Sequence, residues 1–339
     1  MHESPADAPD NPRSSTSLPA DALIPPLRAL RWSYPSSSGA PLHASLAREA
    51  WVVDLLERRD EIVAAARGIL AQGRVEEAVE LAACAWRLWM VGRDVAGGRA
   101  FAEEVLRASG GVASAARAKL HYGAGLFAFW QGDVEGSRRE SAAALALAEA
   151  TADEEALTLA HLGLARAALE ESDAPTARKH ATEARRWVGA LVPTLGPAIG
   201  QAPLHLHAQA ARRAGDLDEA AEVFRESLAL NRLVDDSMMV VIELENLGRV
   251  EAHRGNRAEA ERCLAECAAL GGEVPESDPY GRVMLALDRA FLAVLRNDAP
   301  ETKAILAEID ALLRETGIEL ASDDRLELEW IRSGGLSPA

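Results

Sequence analysis

The chain has 339 residues, 48% of them hydrophobic and only 4% aromatic, and its 53 acidic against 36 basic residues leave a formal net charge of −17. That balance excludes a broad phosphate-binding surface, because nucleic-acid affinity rests on Lys and Arg neutralising phosphates. About a fifth of the residues are alanine while strand-favouring types are sparse, so an all-α body is expected.

Taken in chain order, residues 1–42 come first. Eight of the sixteen prolines fall within the first 41 residues, mixed with Ser14, Ser15, Ser17, Ser36, Ser37 and Ser38, and no helical period stands out. The segment reads as a disordered tail. Its apolar stretch Leu23-Ile24-Pro25-Pro26-Leu27, with Trp32 and Tyr34, suits either docking on the body or partner, or a free tail. The start of the chain lacks the basic-then-apolar order of a secretory signal, and no run approaches the ~18 apolar residues that span a membrane. Cys84, Cys263 and Cys267 are too few and uneven for a disulfide framework. A cytoplasmic protein without membrane contact is the expectation.

From residue 43 to 316 helical patterns follow one another, broken at Gly92-Arg93, Gly132-Asp133, Ser172-Asp173, Gly215-Asp216, Gly255-Asn256 and Asn297-Asp298, with spacings of 40, 40, 43, 40 and 42 residues. Gly or Asn ends a helix in the left-handed conformation, and the following Asp or Asn accepts the first N–H bonds of the next helix. Each pair therefore marks a helical hairpin. Five residues on stand small residues, Gly97, Ser137, Ala177, Ala220, Ala260 and Thr302, which let two helices cross closely. Nine residues on stand Phe101, Ser141, Ala181, Phe224, Leu264 and Leu306, apolar except for Ser141. Gly125, Gly163 and Gly248 interrupt the first helices, where glycine signals close approach by a neighbour. Residues 317–339 read as a capping helix near 322–332, with Asp323 at its start and Trp330 as its anchor, followed by a tail.

Leu247-Gly248, Gly255-Asn256, Ala260, Leu264 and Cys267, with Gly215-Asp216, Ala220 and Phe224, resemble the tetratricopeptide repeat. The period is about 40 rather than 34, so the hairpin arms are longer. The resemblance implies a right-handed α-solenoid of six to seven hairpins. Within residues 51–107, Trp51-Val52-Val53-Asp54-Leu55-Leu56-Glu57, Leu81-Ala82-Ala83-Cys84-Ala85-Trp86-Arg87-Leu88-Trp89 and Gly98-Arg99-Ala100-Phe101 look like the start of the C-terminal helical arm of bacterial LuxR-type and antibiotic-regulatory-type regulators and signal-transduction ATPases. Neither a Gly-x-x-x-x-Gly-Lys-Ser/Thr loop nor room for a DNA-binding domain is found ahead of it, so only the sensor or partner-binding role of the arm is implied.

Sequence motifs for catalysis are missing: no Gly-x-Ser-x-Gly, no His-Glu-x-x-His and no Cys/His nucleophile arrangement occurs. Cys263 and Cys267 share a helix face but lack two further ligands, and read as buried structural thiols rather than a metal clip. His205 and His207 project to divergent sides of their helix. No metal, cofactor or enzymatic activity is expected. What remains is a concave groove lined by the first helix of each hairpin. Helical phase places Tyr122, Leu126, Phe129, Trp130 and His161 at its aromatic end, then His205, Gln209, Arg212, Arg213, Asn246, Arg249 and His253 along a polar and basic stretch. In repeats of this kind an asparagine at the place of Asn246 bonds a ligand backbone, and Arg212 with Arg249 suits a carboxylate. The aromatics also suit packing between repeats, and the Arg/Asn set a solvated face. The expected function is a non-enzymatic adaptor or sensor that binds a protein or peptide, without direct nucleic-acid binding. The alternative is a small-molecule receptor or enzyme using the aromatic pocket. Partner identity and oligomeric state stay open.

Overall fold

The computed structural model describes residues 20–31, 49–271, 279–320 and 322–335, and among them the secondary structure is helical. Helix α1 spans Ala20–Arg31, and α2 (Ala50–Glu57) and α3 (Arg59–Ala71) form a nearly continuous lead-in. Six hairpins follow: α4 (Val75–Val91) with α5 (Val95–Ala108), α6 (Ala115–Trp130) with α7 (Val134–Thr151), and α8 (Glu154–Glu170) with α9 (Ala174–Arg186). After the short α10 (Val188–Leu195) and a 3₁₀ turn (Pro197–Gly200) come α11 (Gln201–Arg213) with α12 (Leu217–Leu233), α13 (Ser237–His253) with α14 (Arg257–Gly271), and α15 (Pro279–Leu295) with α16 (Ala299–Thr316). Helix α17 (Ser322–Arg332) closes the described chain. The architecture is a right-handed α-solenoid of tetratricopeptide-like hairpins.

The turns are built as their chemistry demands. Gly132, Ser172, Gly215, Gly255 and Asn297 hold positive φ, and Asp133, Asp173, Asp216 and Asp298 accept a backbone N–H three residues on. Such a cap is worth about 1 kcal/mol to its helix. In the first hairpin the pattern lies one residue later than expected: Arg93 takes the left-handed conformation and Asp94 caps α5. The residue at the close crossing is accordingly Gly98 rather than Gly97. A Cβ on Gly98 would lie 2.6 Å from the Phe127 ring and 2.7 Å from Trp89 Cβ, whereas one on Gly97 would meet only the side chain of its own cap, Asp94.

Ser137, Ala177, Ala220 and Ala260 are buried at the corresponding crossings. Ser141, the polar exception, is also fully buried, because Gly125 and Gly163 leave the room that its side chain fills. A Cβ on Gly248 would come within 2.7 Å of Leu264. Overpacking a crossing of this kind costs typically about 1–3 kcal/mol. The 43-residue spacing has its own cause: α10 and the 3₁₀ turn are inserted between α9 and α11, each of which has 13 residues against 17 for α8 and α12.

The expectation of a disordered tail fails for its described part. Residues 20–31 form α1, with Leu23, Leu27 and Leu30 fully buried in the first core cluster. Their spacing of four and three residues is a helical stripe that Pro25 and Pro26 mask in the sequence. Residues 1–19 and 32–42, including Trp32 and Tyr34, lie outside the described residues, as does the side chain of Asp323.

Candidate functional site: the inner face and its terminal helices

The first helices of successive hairpins stack side by side. Counting six residues back from each left-handed turn residue picks out one side chain per repeat: Arg87, Leu126, Arg166, Gln209, Arg249 and Phe291. The row runs through the first helix of every hairpin, with Leu126 and Phe291 in the core. Both of its ends are covered by the chain's own terminal helices.

At the N-terminal end α1 lies against α4. Its three leucines enter the core, Arg28 pairs with Glu80 at 2.6 Å, and Arg87 donates to the backbone carbonyl of Arg31. The Arg31 guanidinium is itself buried and reaches Glu155, at the start of α8, at 2.8 Å. Lys119 of α6 contacts the same carboxylate at 2.8 Å. Through Arg31, then, α1 joins the first and third hairpins.

At the C-terminal end α17 lies across α11, α13 and α15. Glu327 accepts from Arg212 at 3.2 Å and pairs with His253 at 2.8 Å, while Asp324 pairs with Arg249 at 3.2 Å and accepts the Tyr280 hydroxyl at 2.6 Å. Arg249 also contacts Glu245 and, at 3.3 Å, Asp288. Trp330 stacks on Phe291 at 4.8 Å, and Leu328 and Ile331 complete the apolar contact.

Burial would raise the Glu327 carboxyl, but the His253 hydrogen bond with Arg212 and Arg249 holds it below its ordinary value. Asp288 goes the other way. Burial first, then the neighbouring Glu245, pushes it up to about 7 against the opposing pull of Arg249. One guanidinium facing three carboxylates leaves one of them inclined to keep a proton.

The expected groove residues are thus brought together in part. Arg212, Arg249 and His253 converge on α17 rather than on open solvent, and Arg213 donates to the carbonyl of Leu169. Asn246 is buried, donates to the carbonyl of Ile242 at 2.9 Å and accepts from Gln209 at 3.1 Å. His205 bonds Glu243 at 3.0 Å and His207 bonds Glu219 at 3.1 Å, on different neighbours. His161 and His180 share a hydrogen bond between their Nδ1 atoms at 2.9 Å.

The aromatic pocket does not form. Tyr122 and Leu126 are buried in the core, Tyr122 edge-on to Trp86 and accepting from Arg166 at 3.0 Å. Trp130 is 60% exposed at the end of α6, edge-on to a half-buried Phe129, and Trp89 stacks instead on Phe101. The four share one face of α6, but Phe129 and Trp130 stand in its last turn, beyond the buried stretch that holds Tyr122 and Leu126.

Another cleft of about 280 Å³, open to solvent, lies beside α10 and is lined by Val188, Val192, Pro197, Leu204 and Leu230. The three thiols are buried, and burial first of all raises Cys84 and Cys263 to about 11 and Cys267 to about 12, the profile of inert structural cysteines.

Residues that the groove reading missed are those on the covering helices: Arg28, Arg31, Asp324 and Glu327, with their acceptors Glu80 and Glu155. The signal for α17 was present as acidic residues three apart beside Leu328 and Trp330. For α1 it was the leucine stripe.

No protein-family model matches the chain, and no curated protein matches it. Among solved structures, BtubC (BKLC) from P. vanneervenii is similar over 66% of this chain and 94% of its own, with a TM-score of 0.53 and 17% identity. The Rap protein complexed with competence and sporulation factor gives a TM-score of 0.48 at 12% identity, over 83% of this chain and 80% of its own. The TPR domain of P58(IPK) gives 0.31 at 14%, over 86% and 84%. No helix of the described residues is long and apolar enough to cross a membrane. At these identities the likeness is one of fold, and the fold is that of a helical-repeat solenoid.

Proposed function

We propose that this chain is a non-enzymatic protein-binding module whose inner face takes a helical or extended segment of a partner, acting as an adaptor or sensor in bacterial regulation. The observation that carries the reading is that the inner face already holds two helices of its own chain. Leucine seats and buried ion pairs hold α1, and an aromatic stack and a carboxylate-arginine network hold α17. Between them Leu126, Arg166 and Gln209 continue the row. Arg166 and Gln209 are half-buried there, which leaves polar groups to orient a ligand.

The regulatory role follows from the resemblance of residues 51–107 to the helical arm of multidomain regulators, where the arm senses or binds a partner. Cytoplasmic location and the lack of direct DNA binding belong to the same proposal, the latter from the net charge of −17.

Selection of peptides from a displayed library against the full chain tests it. Enriched binders are expected to lose affinity on Arg166→Ala with Gln209→Ala and to keep it on Arg262→Ala, which lies outside this row. Binders that map to Arg262, or no enrichment once both terminal helices are released, would contradict the proposal.

A further inference from the structure

We infer that the N-terminal end of the inner groove is a seat for an amphipathic helix of a partner protein, patterned Leu-x-x-x-Leu-x-x-Leu-Arg, which α1 occupies in cis as a tethered competitor. The inference rests on the inner face being a partner-binding surface and names the chemistry of that partner.

Glu80, Cys84 and Arg87 form a stripe on α4 at spacings of four and three residues, and it faces α1. Glu80 takes the guanidinium of Arg28, and Arg87 takes the carbonyl that ends α1. Beyond the stripe, Glu155 takes Arg31. The seat therefore recognises three features: apolar side chains at three positions, basic side chains one residue beyond each of the last two leucines, and a helix end. Every one is a feature of a short sequence, and none depends on that sequence being part of this chain.

A buried ionic group with one acceptor fixes the register of the helix that carries it, because a slip of one residue strands it. Arg31 and Arg87 are both such groups, each within a tenth of full burial. The carboxylates Glu80 and Glu155 make the seat selective for a basic helix.

Residues 32–48 separate α1 from α2, a chain of 17 residues that reaches at most about 60 Å.

Cys84 supplies a native reporter, being fully buried in the middle of the stripe, while Cys263 and Cys267 are buried in α14 and report the rest of the fold. The experiment is alkylation of the full chain, followed cysteine by cysteine by mass spectrometry, in wild type and in Leu23→Glu with Leu27→Glu. The variant is expected to label at Cys84 at least about tenfold faster than wild type, with Cys263 and Cys267 unchanged. A synthetic peptide of residues 20–31, in excess, is expected to restore protection of Cys84 in the variant, and the same peptide carrying Leu27→Glu is not.

Three results would overturn the inference. Joint labelling of all three cysteines would make α1 part of the fold rather than a removable ligand. A fast Cys84 that the peptide does not protect would deny the seat its recognition. Protection in wild type that falls on dilution would give the seat to a second copy. Any of these leaves the peptide selection on Arg166 and Gln209 free to succeed, so the two readings fail separately.

Discussion

The two ends of the groove solve the same problem with different chemistry. At the N-terminal end a helix containing two prolines lies mainly on α4 through three leucines, and its buried arginine shares Glu155 of the third hairpin with Lys119. At the C-terminal end α17 meets three array helices, and one buried arginine is shared among Glu245, Asp288 and Asp324 beside a stacked Trp330 and Phe291. The first arrangement gives one carboxylate two cations, Arg31 and Lys119. The second concentrates several carboxylates on a single cation. Loss of the covering arginine therefore leaves the charge at the first end paired, whereas loss of the shared arginine at the second end does not.

The sharpest way to break that contrast is to remove the cation at each end. Arg249→Leu strands three carboxylates and is expected to lower stability by about 3–5 kcal/mol in denaturant unfolding. Arg31→Leu leaves Glu155 paired with Lys119 and the three leucines seated, and is expected to cost about 1 kcal/mol or less. Equal losses would erase the distinction.

A smaller effect comes from Asp288. Its carboxyl is raised by burial to about 7, so between its ordinary value of 3.8 and 7 the native chain holds a proton that the unfolded chain has released. Stability from this group is therefore greatest at the acidic side of that window and falls as pH rises through it. Asp288→Asn is expected to flatten the loss, seen as a shift of about 1–2 kcal/mol between pH 5.5 and 8 in wild type that the variant lacks. A wild-type slope of opposite sign would show Arg249 to dominate the site.

Smaller still is the effect of His161, which lies between the two ends. Burial, then His180, lowers it from 6.5 to about 4, so the unfolded chain takes up a proton that the native chain refuses. Stability is then lost as pH falls from about 6.5 towards 4, and His161→Gln is expected to reduce that loss by about 1 kcal/mol. An unchanged acid limb would mean that the histidine pair accepts the charge.

The repeat was legible because its signals are local. The Gly-Asp turns, the small residues at the crossings and the interrupting glycines each act within one hairpin or between neighbours, so a period of about 40 exposes them. The first anchor was misplaced by one residue because Gly92 precedes Arg93, and sequence preference favours glycine in the left-handed position that Arg93 in fact holds. The inner row was legible as a set of positions, but its occupancy was not. Arg31 and Glu155 are 124 residues apart, and Arg249 and Asp324 are 75 apart, so no period links them. Arg212, Arg249 and His253 looked like a site awaiting a carboxylate, and the carboxylates they meet belong to α17.

The contrast between the ends is tested most directly by native-state amide hydrogen exchange on the full chain. The account predicts that amides of Leu27–Arg31 exchange by a local opening that leaves the array protected, while those of Leu328–Arg332 exchange only as the last hairpins unfold. Exchange of α17 before α1, or of both with the whole array, would contradict it.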